Sequence, residues 1–185
     1  MKKSFLILAA IVSLNFSLSA QDERVANRYF YSEFGGPGVL MSVHFDSRFS
    51  SNSRFGIGYR VGLGFGSGQF EDRRPNYWGY YQYRTQTYFS IPVGLNYVFG
   101  RPNSAHTFEA GAGFTILTRK VSLYYNNNWG QSRDDTKGNL IGFFTFMYRR
   151  MPEDGGFSWR IGLTPIIGTA GDLFPSGAVG FGFVF

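Results

Sequence analysis

The sequence predicts an all-β protein: an eight-stranded antiparallel up-and-down transmembrane β-barrel that follows an N-terminal signal peptide. Three observations carry that prediction. The first 20 residues have the build of an export leader, period-two alternation runs through most of the rest, and the chain closes on a strand ending in Phe185. In that last segment Val179, Phe181, Phe183 and Phe185 share one face, while Gly180, Gly182 and Val184 share the other. Bulky apolar residues opposite small ones fit a wall between lipid and a narrow lumen.

The leader divides the chain. Lys2 and Lys3 form a basic start, residues 5–14 a short apolar core, and Ser17, Ser19 and Ala20 bring small residues to a cut after Ala20, with a cut after Ser19 as the alternative. The core is shorter than the roughly 20 residues that a spanning helix needs. Residues 1–20 are therefore read as signal peptide and residues 21–185 as one barrel domain. With no cysteine, neither a disulfide nor a lipid-bearing thiol is expected. The formal charge of +6 falls by two with the loss of Lys2 and Lys3. The remaining arginines are scattered among acids, which excludes the clustered footprint of a nucleic-acid binder. Aromatics at 19%, 25 glycines and a mean hydropathy of −0.15 are unusual for a soluble core. A small barrel with rings toward lipid and small and polar groups inside explains them together.

The strands follow in order. Residues 27–34 form the first, with the glycines of 35–38 as a tight external turn. In the second, Val39, Met41, Val43 and Phe45 alternate with Leu40, Ser42, His44 and Asp46. Residues 54–65 give the cleanest alternation: Phe55, Ile57, Tyr59, Val61, Leu63 and Phe65 against Gly56, Gly58, Arg60, Gly62 and Gly64. Residues 87–99, 107–116 and 157–164 repeat it, and residues 139–150 form a strand that is apolar on both faces near its start, with Phe144, Phe146 and Tyr148 assigned outward. Residues 178–185 complete eight. Short turns at 49–53, 100–105 and 151–155 fall on the periplasmic side, and longer loops at 66–84, 122–138 and 168–177 fall outside. Pro92 and Pro165 each remove a ladder donor, which predicts a bulge or a rim position.

Four segments carry a likeness in chain order: Tyr31 to Gly38, Ile91 to Tyr97, Phe108 to Gly113 and Gly156 to Pro165. Together they resemble small outer-membrane β-barrel proteins of the Bacteroidetes type, related in architecture to the OmpA/OmpX-like, porin-like barrels. The resemblance implies the barrel and an outer-membrane location in a Gram-negative bacterium. Most members are uncharacterised, so it adds little about activity.

Three groups of residues are candidates for function. A lumen polar cluster gathers Glu33, His44, Asp46, Arg60, Glu109, Arg149 and Arg160, because an inward charge needs an inward partner. A pair of external loops carries Arg73, Tyr77, Trp78, Tyr80 and Tyr81 on one and Trp129 on the other. These residue types suit recognition of a sugar or peptide. An outer aromatic girdle is the competing reading, and composition favours it. Phe181, Phe183 and Phe185 form a C-terminal insertion signal for the barrel-assembly machinery.

Catalysis has one candidate. Ser42, His44 and Asp46 face the lumen from one strand, which suggests a barrel enzyme transferring or removing acyl groups on outer-membrane lipid. Residues two apart on a strand lie roughly 6.5–7 Å apart, so the spacing alone does not build a triad. Lumen filling is the favoured reading of this trio. No phosphate loop, zinc set or calcium loop is found, and no cofactor or metal is expected. The sequence thus points to a non-catalytic structural or surface-interaction barrel surrounded by outer-membrane lipid, with an extracellular ligand or protein as the partner of its loops. A membrane enzyme, a small pore and a soluble ligand-holding barrel are the alternatives, in that order.

Overall fold

A computed structural model describes residues 25–72, 82–121, 138–168 and 173–185. The alternating segments form β1 Arg28–Gly35, β2 Met41–Arg48, β3 Gly56–Asp72, β4 Gln82–Gly100, β5 His106–Val121, β6 Gly138–Arg150, β7 Gly156–Leu163, β8 Ile166–Ile167, β9 Leu173–Phe174 and β10 Gly177–Val184. Neighbours pair antiparallel around the ring, and β10 returns to β1 with Tyr29 opposite Val184 and Gly35 opposite Ala178. The sheet is closed. The backbones of Arg28 and Phe185 exchange two hydrogen bonds, at 3.0 and 2.9 Å, which ties the last residue into the ladder.

Ten segments make eight staves, because β8 continues β7 and β9 leads into β10. The register proves it. Phe146 lies opposite Leu163, and four residues back Gly142 lies opposite Ile167. Pro165 therefore interrupts the stave without a bulge: it offers no N–H, yet its carbonyl accepts from Phe144 N at 3.0 Å. Pro92 behaves alike in the middle of β4. Val61 faces Val93 and Gly64 faces Ser90 in one register, so the ladder has a gap there and neither a bulge nor a rim. The register shift lies elsewhere, between Ile116 and Val121 of β5.

Period two sorts the side chains as expected. Ile57, Val61, Leu63, Phe89, Leu95, Phe108, Phe114, Phe144, Phe146, Phe157, Ile161, Phe181 and Phe183 are exposed on the outer face, while Arg60, Ser90, Asn96, Glu109, Thr145, Arg149, Ser158 and Arg160 of the same strands are buried on the inner one. Strand lengths are uneven. β3 to β6 run 17, 19, 16 and 13 residues, against eight each in β1, β2, β7 and β10. A membrane strand needs about 9–11 residues. Most of the expected loop at 66–84 is thus strand, paired from Gly66 opposite Tyr88 to Asp72 opposite Gln82.

The β1–β2 connection departs from expectation. Gly36–Gly38 form a 3-10 turn that is buried, not an external hairpin tip. Gly35 and Gly36 sit at φ 75° and 66°, a region open to glycine, and Val39 follows at 77°. That kink reverses the face at the start of β2: Leu40 is 50% exposed, and Val39 packs inward against Tyr88, Leu117, Ile141 and Ile166. Val39 was expected outward with Met41; the turn, not the strand, sets its direction. The same cluster explains why β6 begins apolar on both faces, since Ile141 and Phe143 point inward beneath the turn.

Closure can be tested by cross-linking. Ser32 lies opposite Phe181 across the β1–β10 seam, and directly opposed antiparallel residues lie within disulfide reach. Ser32→Cys with Phe181→Cys in this cysteine-free chain should yield an intramolecular disulfide on oxidation, visible as altered gel mobility after boiling. Free thiols by mass after oxidation would mean that the seam is open.

Candidate functional site: a sealed ionic lumen

Four of the inward residues come from three adjacent strands. Glu33 of β1 stands opposite Ser42 of β2, and Asp46 of β2 opposite Arg60 of β3. Arg149 of β6 stands opposite Arg160 of β7, while Glu109 of β5 faces Met147. All seven residues of the expected polar cluster are buried, none more than 2% exposed. The structure brings them together across the lumen.

Glu109 is the hub. One of its oxygens accepts from Arg60 Nη2 and, at 3.1 Å, from Arg160 Nη2; the other accepts from Arg149 Nη1 at 2.9 Å. Asp46 forms a second centre, bonded to Arg48 and Asn96 and lying 3.4 Å from Arg149 Nη1 and 3.8 Å from Arg60 Nη2. Glu33 pairs with Arg160 Nε at 3.2 Å, in a geometry short of a hydrogen bond. Rings complete the packing. Tyr29, Tyr31 and His44 stack with centroids 4.4 and 4.9 Å apart, Arg149 lies 4.6 Å from the Tyr29 centroid, and Arg160 lies 4.8 Å from that of Tyr31. The Tyr31 hydroxyl accepts from Arg160 Nη1 at 2.7 Å.

Arg48, Asn96, Tyr29 and Tyr31 were not among the expected residues. Their signal was phase: Arg48 continues the series Ser42, His44 and Asp46, and Tyr29 and Tyr31 precede Glu33 at the same parity. Glycines supply the room. A Cβ at Gly62 would collide with the His44 ring, one at Gly58 with the Arg48 guanidinium, and one at Gly180 would crowd Arg160 Cγ at 3.0 Å.

The lumen is stopped at both ends. Above, Ser90 Oγ donates to Gly38 O at 3.0 Å and Thr115 Oγ1 to Pro37 O at 2.8 Å, which anchors the inward turn to β4 and β5. Below, Ala26, Tyr29, Tyr31, Met151 and Val184 form an apolar floor. Beneath that floor Arg54 donates to Met151 O at 3.0 Å, to Ser104 O at 3.1 Å and to Pro102 O, and pairs with Glu153 at 2.6 Å. One guanidinium thus joins three short turns, a role that its place at the start of the 54–65 strand does not reveal.

No protein-family model matches the chain, and no curated protein matches it. Among solved structures it is similar to Ail, the attachment invasion locus protein of Yersinia pestis, solved in complex with the heparin analogue sucrose octasulfate. The two share 11% identity with a TM-score of 0.39, over 88% of this chain and 97% of that one. The closed barrel described above stands on its own ladder pairings.

The Ser42, His44 and Asp46 trio is only half assembled. Ser42 Oγ lies 2.7 Å from His44 Nε2, but Asp46 is engaged by Arg48 and Asn96. Glu33 approaches the same Nε2 at 3.8 Å, and His44 Nδ1 has no hydrogen-bond partner. A triad needs its acid on the ring nitrogen opposite the nucleophile. Arg73, Tyr77, Trp78, Tyr80, Tyr81 and Trp129 lie outside the described residues, as does the expected signal peptide. Phe181, Phe183 and Phe185 are exposed on the outer face, with Phe157 ring centroids 6.5 and 6.1 Å from Phe181 and Phe183.

Removing one member of the hub should leave uncompensated buried charge. Glu109→Gln is expected to cost about 3–5 kcal/mol of unfolding free energy, measured as a lowered urea midpoint in detergent; an unchanged midpoint would count against the hub. Arg54→Met should cost about 2–3 kcal/mol and open the turns at 101–105 and 151–155 to protease, with the upper barrel intact. Protease resistance equal to the parent's would remove Arg54 from that role.

Proposed function

We propose that this chain is an outer-membrane β-barrel of a Gram-negative bacterium that is not an enzyme and does its work at its surface, as a structural or surface-interaction protein. The observation that carries the reading is the inversion of the barrel: exposed Phe, Leu, Ile and Val cover the outside of the ring, and arginines, acids and tyrosines fill its core. A soluble ligand-holding barrel would bury the apolar face and leave glycine and arginine to water, the opposite of what is found. In hydrocarbon every backbone group must be satisfied within the protein, and a closed ladder does so.

The filled lumen weighs against a pore, since eight strands leave room for side chains only. The half-assembled trio weighs against lipid chemistry inside the barrel. What remains is the outer wall, in contact with outer-membrane lipid, and the connections at 73–81 and 122–137, offered to an extracellular ligand or protein. The resemblance to OmpA/OmpX-like small barrels agrees with this role. Phe181, Phe183 and Phe185 on β10 would present the insertion signal to the assembly machinery.

The test is electrophoresis of outer-membrane fractions with and without boiling. A compact species that shifts on heating is the expected result; a soluble chain with unchanged mobility sinks the reading. Purified barrel should give no unit conductance in planar bilayers, and its expression should leave lipid A masses unaltered. Discrete channels would revive the pore, and a changed acyl pattern the enzyme.

A further inference from the structure

The outer wall carries a furrow of about 340 Å3 near the short-turn end, lined among others by Phe99, Phe108, Ala110, Phe146, Tyr148 and Ile161. The register continues it along β5 beyond Ala110. Ala110 of β5 lies between Tyr97 of β4 and Phe146 of β6, and Ala112 between Leu95 and Phe144. Two small residues flanked by four large ones leave a trough along β5. One row below Phe108 and Tyr148, His106 and Arg150 stand directly opposite each other, both exposed. Trp159 lies opposite Arg150, its ring 5.1 Å from Tyr148.

The groups at the mouth of the trough itself are basic, and the nearest exposed acids, Glu153 and Asp154, lie in the turn beyond it. His106 Nδ1 is bonded to the Tyr148 hydroxyl, and among the described residues the Arg150 guanidinium makes one hydrogen bond, Nη1 to Phe157 O at 3.3 Å. Exposed Arg101 follows Gly100, which pairs with Thr107. Glu109 turns into the lumen, Glu153 is held by Arg54, and Asp154 sits in the turn beyond. A guanidinium and an imidazole at the end of an apolar trough, beside Trp and Tyr, complement a phosphate joined to an acyl chain.

We propose that this furrow is a docking site for one phospholipid of the leaflet on the short-turn side. The acyl chain lies over Ala110 and Ala112, and the headgroup phosphate accepts hydrogen bonds from Arg150 and from His106 Nε2. Tyr148 donates to Nδ1, which keeps the ring proton on Nε2 and aims it outward. The site rests on the membrane reading above and adds to it a particular lipid partner on a particular face.

Native mass spectrometry of the barrel in mild detergent, titrated with phosphatidylglycerol, tests the site. The parent should retain one lipid per barrel. His106→Gln with Arg150→Gln, and separately Ala110→Leu, should each weaken retention about tenfold, while both variants still shift on boiling. Equal retention by parent and variants overturns the proposal. So does loss in the charge variant alone, which would mean surface attraction without a seat for the chain, and so does preference for lipid A over phosphatidylglycerol. A parent that is membrane-inserted and heat-modifiable yet holds no lipid sinks this site only; a parent that is soluble sinks the membrane reading itself.

Discussion

The rest of the barrel depends on pairing buried charges in a space sealed from water. Removing a buried partner costs far more than the pair gains over an apolar substitute, so a charged lumen holds together only when every member is in place. Glu109 meets three arginines, Asp46 meets Arg48 and Arg149, and Glu33 meets Arg160. Strands β1, β2, β3, β5, β6 and β7 each contribute at least one of these groups, so the network can form only when the ring is closed around it. Shape follows from charge. Flat guanidinium groups and stacked tyrosines need thin walls opposite them, which is why glycine stands across from His44, Arg48 and Arg160.

Sealing is the second half of the same constraint. Water admitted from either end would hydrate the arginines and weaken each pairing. At one end the chain turns its own backbone inward, and Ser90 and Thr115 satisfy the carbonyls that are buried by doing so. At the other end an apolar floor is backed by Arg54, which gathers carbonyls from turns nearly 50 and 100 residues away in sequence. The ends differ in kind, one a folded turn and the other a clasp, yet both spend buried hydrogen bonds to exclude solvent.

The sequence read well where structure is local. Period two assigned the faces of β3 to β7 and β10, and parity alone put Glu33, His44, Asp46, Arg60, Glu109, Arg149 and Arg160 inside. It failed where a contact joins distant segments. Val39 follows the alternation of β2 in sequence but obeys a left-handed turn whose reason is the pocket formed by Tyr88, Leu117, Ile141 and Ile166. Arg54 reads as the first residue of a strand, and its role emerges only when three turns are brought to one place. The prolines misled because a missing N–H suggests a bulge, whereas a long stave absorbs one lost bond without shifting register. Arg48 is in phase with Asp46, so the same parity places it inside.

The uneven staves have a consequence for how such a protein can change over generations. The ladder of β4 to β5 stops at Ser90, and that of β2 to β3 stops at Met41 and Phe65, while β3 and β4 continue as a two-stranded ribbon to Asp72 and Gln82. Among the described residues the ionic core takes nothing from that ribbon, and the upper stopper uses only its base, where Tyr88 packs against Val39. Beyond that base the ribbon can therefore be lengthened, trimmed or rewritten while the eight staves keep their register. The lower barrel has no such latitude: each inward position is held by several neighbours at once, and drift there must be concerted. One chain thus joins an inherited frame to a tip that is free to diversify.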